Sequence, residues 1–275
     1  MSEFEDLQAG ALGLLHTTCD VLNKVGAKYI IVGGWAPYLL NSNPIQHPGT
    51  KDVDVLFEGA YEKGILKEII EALLAEEYIL SAKHDFQLFK KCRVQGREFI
   101  YNVDLLHPME TIIPKNIYVE HIDLGIPADK YQGKTFKMKS IALPSAQSLF
   151  RLNMFNLYKS DKPEYATSYV PLMDEAGTLI TKSQSVKIEK RYRDSLDIYL
   201  TINQSRSIEN LINTVKKIQL EDIDTYNSLF GIREMYDDNK LFENVRRYVE
   251  VKHEEFVQTM ESFFEKTGLM NKAES

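Results

Sequence analysis

The feature that most restricts this chain is a pair of aspartates inside an apolar run, Asp52-Val53-Asp54-Val55-Leu56-Phe57. The β-branched content and short length read as a strand. On a strand, residues i and i+2 project to the same face. Asp52 and Asp54 therefore stand side by side, with Val53 and Val55 packed behind them. Two like charges so placed repel one another unless a cation sits between them. Hard divalent ions such as Mg²⁺ prefer that all-oxygen setting. A solvent-exposed strand face would hold the same pair without a metal, so the pair alone leaves both readings open. Aspartate is a poor strand former, which counts against the bland reading.

Two further features join it. Lys28 to Val32 is a short apolar stretch that runs into Gly33-Gly34, a strand entering a tight turn. Glycines there let backbone N–H groups approach a phosphate with no Cβ in the way, although any strand-to-helix turn uses the same residues. Asp104 lies in Ile100-Tyr101-Asn102-Val103-Asp104-Leu105-Leu106, again one acid in an apolar strand. A buried carboxylate without a partner is expensive, and tolerable if it joins a metal cluster.

Periodicity orders the rest of the chain. Phe4 to Val25 reads as a helix stopped by Gly26, Trp35 to Leu40 as the start of another, and Tyr61 to Glu76 as a strongly periodic third. Phe86 to Val94 and Glu98 to Leu106 read as strands joined by a Gln95-Gly96 turn, and 117–124 and 135–143 as two more. The texture changes at Pro144, after which no convincing strand appears. Ala146 to Tyr158 reads as a helix and Lys159 to Gln184 as a long polar loop. Val186 to Ile202, Ile208 to Ile218, Leu241 to Val257 and Phe256 to Phe264 read as helical. An α/β part over 1–143 and a helical part over 144–275 follow.

The combination of a Gly-Gly turn, a helix, Asp-x-Asp on a strand and a third Asp on a later strand resembles the minimal nucleotidyltransferase superfamily. Gly33-Gly34-Trp35-Ala36 and Thr50-Lys51-Asp52-Val53-Asp54 look like the lincosamide and aminoglycoside nucleotidyltransferases, and equally like AbiEii-type toxins. The resemblance implies an α+β fold: a mixed sheet with flanking helices, followed by an all-helical C-terminal bundle. It implies an enzyme that moves a nucleotidyl group from an NTP to an acceptor hydroxyl on RNA, protein or a small molecule, with two Mg²⁺ ions. Asp52, Asp54 and Asp104 take the metal and catalytic roles, and Gly33, Gly34, Thr50 and Lys51 face the nucleotide. In AbiEii-like proteins a helix beginning near a Pro carries a Lys, and a later helix carries a basic residue followed by Asp-x-x-Asp. Here Pro144 opens the first such helix and Arg151 stands at the Lys position. Lys190, Asp194 and Asp197 then fall on the later helix, where Lys190 either reaches the triphosphate or pairs with Asp194. A toxin reading adds an antitoxin protein as partner. A fold retained without catalysis, acting through nucleotide, RNA or protein binding, is the alternative from another class, and a drug-modifying enzyme is a third.

Composition narrows the classes. A net charge of -7 argues against wholesale coating of nucleic acid. A local basic group, Lys83, His84, Lys90, Lys91, Arg93 and Arg97, reads either as a phosphate-facing cleft or as a solvated strand face. Two cysteines far apart, without a CxxC, point to a reducing, cytoplasmic setting. Met1 to Asp6 lacks the basic start of a signal peptide, and no apolar run approaches a membrane span. The six histidines form no HxxxH pair, Pro48-Gly49-Thr50-Lys51 lacks the glycine spacing of a phosphate loop, and Gly-x-Ser-x-Gly is absent.

Overall fold

The computed structural model describes residues 2–41, 47–58, 65–81, 83–108, 120–121, 137–138 and 140–270. In chain order the elements are β1 (Glu3–Phe4), α1 (Leu7–Lys24), β2 (Tyr29–Val32), α2 (Trp35–Leu39), β3 (Asp52–Phe57), α3 (Ile65–Ala75), β4 (Ile79–Leu80), β5 (Gln87–Val94) and β6 (Arg97–Pro108). They continue with β7 (Glu120–His121), β8 (Lys137–Met138), β9 (Ile141–Leu143), β10 (Phe155–Lys159) and β11 (Tyr169–Met173). The remainder is helical: α4 (Glu175–Ser185), α5 (Tyr192–Asn203), α6 (Ile208–Glu221), α7 (Ile223–Ser228), α8 (Phe230–Asp237), α9 (Lys240–Val245) and α10 (His253–Thr267). The fold is thus a mixed sheet with flanking helices and a C-terminal helical region. Two compact units share it, each drawn from three stretches of chain: 1–32, 50–147 and 156–172 in the first, and 33–49, 148–155 and 173–275 in the second.

In the first unit the sheet order is β1-β5-β6-β3-β2-β11-β10, with β4 on β5 and β9 on β6. β3 runs parallel to β6 and antiparallel to β2, and β5–β6 is an antiparallel hairpin. Its turn is the expected one: Gln95 and Gly96 both have positive φ. α1 covers one face. Asp6 caps it by accepting from the Ala9 N–H at 2.7 Å. Gly10 lets β6 come close, since a Cβ there would lie 2.4 Å from the Tyr101 Oη that donates to the Leu7 carbonyl. Thr18 and Tyr78 share a buried hydroxyl contact at 2.8 Å. His16, also buried, stacks on Tyr165 at 4.1 Å and meets Ser168 Oγ at 3.0 Å, while its Nε2 is buried without a partner.

In the second unit α5 is the central helix, buried from Asp194 to Ile202. Tyr199 packs on Phe256 at 5.3 Å, and Phe242 meets the same ring at 5.1 Å. α2 is short, and Arg206 completes its C-terminal end by donating to the Leu39 and Leu40 carbonyls.

Several expectations fail downstream of Pro144, among them the absence of strands, since β10 and β11 lie there. Residues 146–158 are not a helix: a single 3₁₀ turn, Pro144–Ala146, and further turns lead through Asn153, at φ 57°, into β10. The segment 159–184 is not a loop, for it contains β11 and most of α4. The span 186–202 is broken, and its helix starts at Tyr192 after an exposed turn. Similarly, 241–257 divides between α9 and α10. Of the strands expected at 117–124 and 135–143, the described residues give the β7–β8 pair and β9, with Ser140 leading into β9; the rest of those ranges, like 42–46 and 59–64, lies outside the described residues.

α4 shows why the helix escaped pattern reading. Its sequence is polar, yet Ala176 to Ser183 is buried throughout. Asp174 caps it through the Gly177 N–H at 2.7 Å. Thr178, Thr181 and Ser183 each donate back to a carbonyl one turn earlier, so their hydroxyls are satisfied within the helix. Satisfied hydroxyls enter a core as small side chains and leave no hydrophobic stripe in the sequence.

Candidate active site

The carboxylates of the first unit meet through strand register. β3 pairs with β6 so that Asp52 lies opposite Asn102 and Asp54 opposite Asp104. Neighbouring strands are about 4.8 Å apart and alternate residues about 6.7 Å apart, so all three acids share one face. Val53, Val55, Val103 and Leu105 point the other way and are fully buried. The acid face is open: Asp52 is exposed, and Asp54 and Asp104 are half-buried.

β5 extends this face. Gln87 lies opposite Asp104 and donates its side-chain N–H to Asp104 Oδ1 at 2.7 Å. Phe89 lies opposite Asn102, Lys91 opposite Ile100 and Arg93 opposite Glu98, so Lys91 and Arg93 share one face. Both cations are partly exposed and stand 3.8 Å from a glutamate, Glu98 and Glu3 respectively. Lys90 points to the other face, over the Tyr78 ring, and donates to the Glu76 carbonyl.

Burial pushes the Asp104 carboxyl above the usual carboxylate range. The Gln87 hydrogen bond pulls it back, the charge of Asp52 raises it further, and His84 opposes that rise. The oxygen-rich donor set suits a hard cation such as Mg²⁺. Among the described residues, however, no three His, Cys, Asp or Glu side chains are grouped closely enough to hold a metal.

β2 pairs antiparallel with β3, and its last residue, Val32, lies opposite Asp54. The chain then turns at Gly33, whose φ of 77° strains any side chain with a Cβ. Gly34 caps α2 in an ordinary conformation at φ -77°. On the approach to β3, Thr50 is buried and Lys51 exposed.

The second unit holds the other expected residues and separates them. Arg151 lies in a turn, not on a helix, and forms an ion pair with Asp222, the cap of α7. Lys190 is exposed in the turn before α5 and is not the partner of Asp194. That partner is Lys182 on α4, 2.6 Å from Asp194 Oδ1 and 2.8 Å from Asp197 Oδ2. Arg193 Nε stands 3.8 Å from Asp197 Oδ1, one turn along α5.

His47 completes this buried group. Its Nδ1 accepts from the Gly49 N–H at 3.1 Å, which leaves Nε2 to donate to Asp197 Oδ1 at 2.9 Å. Burial opposes charge on Asp197, yet Lys182, His47 and Arg193 together hold its carboxyl well below the usual range. Lys182 itself, despite burial, is held in the charged form by the two aspartates. Lys182 on α4 and Arg193, Asp194 and Asp197 on α5 thus form one buried charge cluster with His47. Lys182, His47 and Gln87 were missed by sequence reasoning. For Lys182 a signal existed: Asp174 is a fitting cap residue directly after the apolar run Val170 to Met173.

No protein-family model matches this chain, and no curated protein matches it. Among solved structures, the crystal structure of an antigenic nucleotidyltransferase-like protein from Paracoccidioides brasiliensis is similar over 81% of this chain and 94% of that chain, with 16% identity and a TM-score of 0.36. No helix among the described residues is long and apolar enough to cross a membrane.

Proposed function

We propose that this chain transfers a nucleotidyl group from a nucleoside triphosphate to an acceptor hydroxyl. The observation that carries the reading is the placement of Asp52, Asp54 and Asp104 on one open face of two in-register strands. Like charges on one sheet face repel one another, and a bound cation would relieve that repulsion. Bound Mg²⁺ would be held by the Asp52 and Asp54 carboxylates together with the phosphates of the substrate, and would supply Lewis-acid stabilisation of phosphate charge. Asp104, half-buried and raised by that burial, is also suited to accept the proton of the acceptor hydroxyl as its oxygen attacks the α-phosphorus and pyrophosphate departs. Lys51, exposed on the approach to β3, would orient the triphosphate through its ammonium. Arg151 and Asp194 are given no part, being committed to Asp222 and Lys182.

The test is thermal unfolding with ATP, GTP, CTP and UTP in turn, with and without Mg²⁺, on wild type and Asp52→Asn. A ligand at 100 times its Kd adds about 2.7 kcal/mol to stability. One NTP should stabilise the wild type only with Mg²⁺, and Asp52→Asn should lose that gain. Equal stabilisation of both proteins refutes the metal site. The absence of a three-ligand group among the described residues favours a second reading, nucleotide binding without turnover. Mg²⁺-dependent release of pyrophosphate separates the two.

A further inference from the structure

We propose that His47 is a positioning residue for Lys51: it fixes the turn from which the chain runs into β3, and with it the place where the Lys51 ammonium meets a triphosphate. The role rests on the reading of Lys51 as a triphosphate contact and extends that reading to a buried residue. The His47 ring is engaged at both nitrogens. Nδ1 accepts from the Gly49 N–H at 3.1 Å, and Nε2 donates to Asp197 Oδ1 at 2.9 Å. A neutral imidazole can accept at one nitrogen and donate at the other, so one side chain ties its own turn to a helix 150 residues away in sequence. Both side chains of that contact are 1% exposed. The acceptor is itself anchored, since Lys182 Nζ lies 2.8 Å from Asp197 Oδ2. Arg193 Nη2 stands 3.5 Å from His47 Nε2, and the Tyr38 ring of α2 meets the imidazole edge-on at 5.8 Å.

The residues that follow are each held by a separate device. Pro48 has its φ set by its own ring. Gly49 takes a φ of 83°, which strains any residue with a Cβ, and gives its N–H to His47. Thr50 is buried, and its hydroxyl donates to the Asp52 carbonyl at 3.5 Å. Lys51 breaks the series: it is exposed, and among the described residues it forms no ion pair. At the far end of β3 the comparable cation, Lys28, is paired, with Glu58 at 3.3 Å. An unpaired cation at the end of a restrained run suits a group that receives an anion, because a donor already held in place loses little freedom when it binds. A slack approach to β3 would leave the same ammonium to be ordered at the expense of its ligand's affinity.

The experiment takes two readings on the full chain. One is hydrogen exchange of the backbone amides from Gly49 to Asp52 without nucleotide. The other is calorimetric binding of ATP, GTP, CTP and UTP in turn, with Mg²⁺. The proteins are the wild type, His47→Asn, His47→Gln, Lys51→Met, and Lys51→Met combined with each His47 change. Asn keeps an acceptor near the place of Nδ1 but falls short of Asp197, whereas Gln reaches toward Asp197 and gives up the Gly49 N–H. Each should speed exchange from Gly49 to Asp52. Lys51→Met should weaken the nucleotide bound by the wild type by about 10-fold or more, and each His47 change by part of that, about 3–10-fold. In the Lys51→Met background the His47 changes should matter less than about twofold, because they act through Lys51. Unchanged exchange, unchanged affinity, or an equal loss in both backgrounds overturns the role of His47 and leaves the nucleotide reading standing. If Lys51→Met binds as the wild type does, the role of Lys51 falls and that of His47 with it. If the wild type binds none of the four nucleotides, the transfer reading itself falls and takes this inference with it. Should both His47 variants fold poorly, Gly49→Ala, which strains the same turn and leaves the buried cluster intact, carries the same comparison.

Discussion

Acidification should loosen the contact between α1 and the segment that carries Tyr165 and Ser168, with His16 as the responsible group. The ring is 1% exposed, stacked on Tyr165, bonded at Nδ1 to Ser168, and buried without a partner at Nε2. A proton added at Nε2 would create an unpaired buried charge. Burial accordingly pulls the imidazole from 6.5 down to about 4, against the charges of Asp20 and Glu164 and with that of Lys162. The unfolded chain takes up a proton below pH 6.5 that the native chain refuses until about pH 4, so stability falls as pH drops through that window. Linkage then gives a loss of about 2 kcal/mol between pH 8 and pH 5, rising to about 3 kcal/mol by pH 4. Urea unfolding of wild type and His16→Gln at pH 8 and pH 5 isolates this contribution as the difference between the two pH responses. His16→Gln should be less pH-sensitive by about 2 kcal/mol. Parallel responses in the two proteins would refute the assignment to His16.

Two more outcomes follow from buried groups. Lys182→Met leaves Asp194 and Asp197 buried with their main counter-charge gone, and should destabilise the protein by about 3–5 kcal/mol in chemical unfolding. Adding Asp194→Asn to that variant should recover part of the loss, since one stranded charge is removed with it. Cys19 is fully buried, and burial pushes its thiol up to about 12, so it should resist a thiol reagent in the native protein and react only on denaturation. Rapid native-state labelling of Cys19 would contradict the packing of α1 described above.

The first half of the fold was legible because its signals are local and redundant. β3, β5 and β6 are apolar runs with two-residue alternation, and the turn at Gln95 and Gly96 announces itself by composition. Asp52, Asp54 and Asp104 were readable for the same reason, as acids that interrupt such runs. What periodicity does not encode is which strands pair. The placement of Asp104 opposite Asp54, and of Gln87 opposite Asp104, depends on register between distant segments. The second half misled for a different physical reason. Amphipathic reading looks for long apolar stripes, and α4 has only Ala176, Leu179 and Ile180; the rest of its buried face is Gly, Lys, and Thr and Ser whose hydroxyls bond within the helix. Lys182 looked like a surface residue until Asp194 and Asp197 were brought to it from α5. Arg151, conversely, took on the appearance of a helical site residue in a segment that folds as turns leading through Asn153 into β10.

The pairing of β11 with β2 has a consequence for synthesis. Leu172 is the register partner of Ile31, and the two are joined through almost the whole of the first unit. As the chain leaves the ribosome, β2 and β3 can pair early, but the other side of β2 stays open until residue 172 has emerged. At roughly 5–20 residues per second, that gap lasts on the order of 10–30 s. During it Tyr29 to Val32, all buried in the finished sheet, offers an apolar edge to any neighbouring nascent chain. Translation speed through residues 33–172 therefore becomes a determinant of yield, and a chaperone that shields extended apolar segments would be expected to act in that interval.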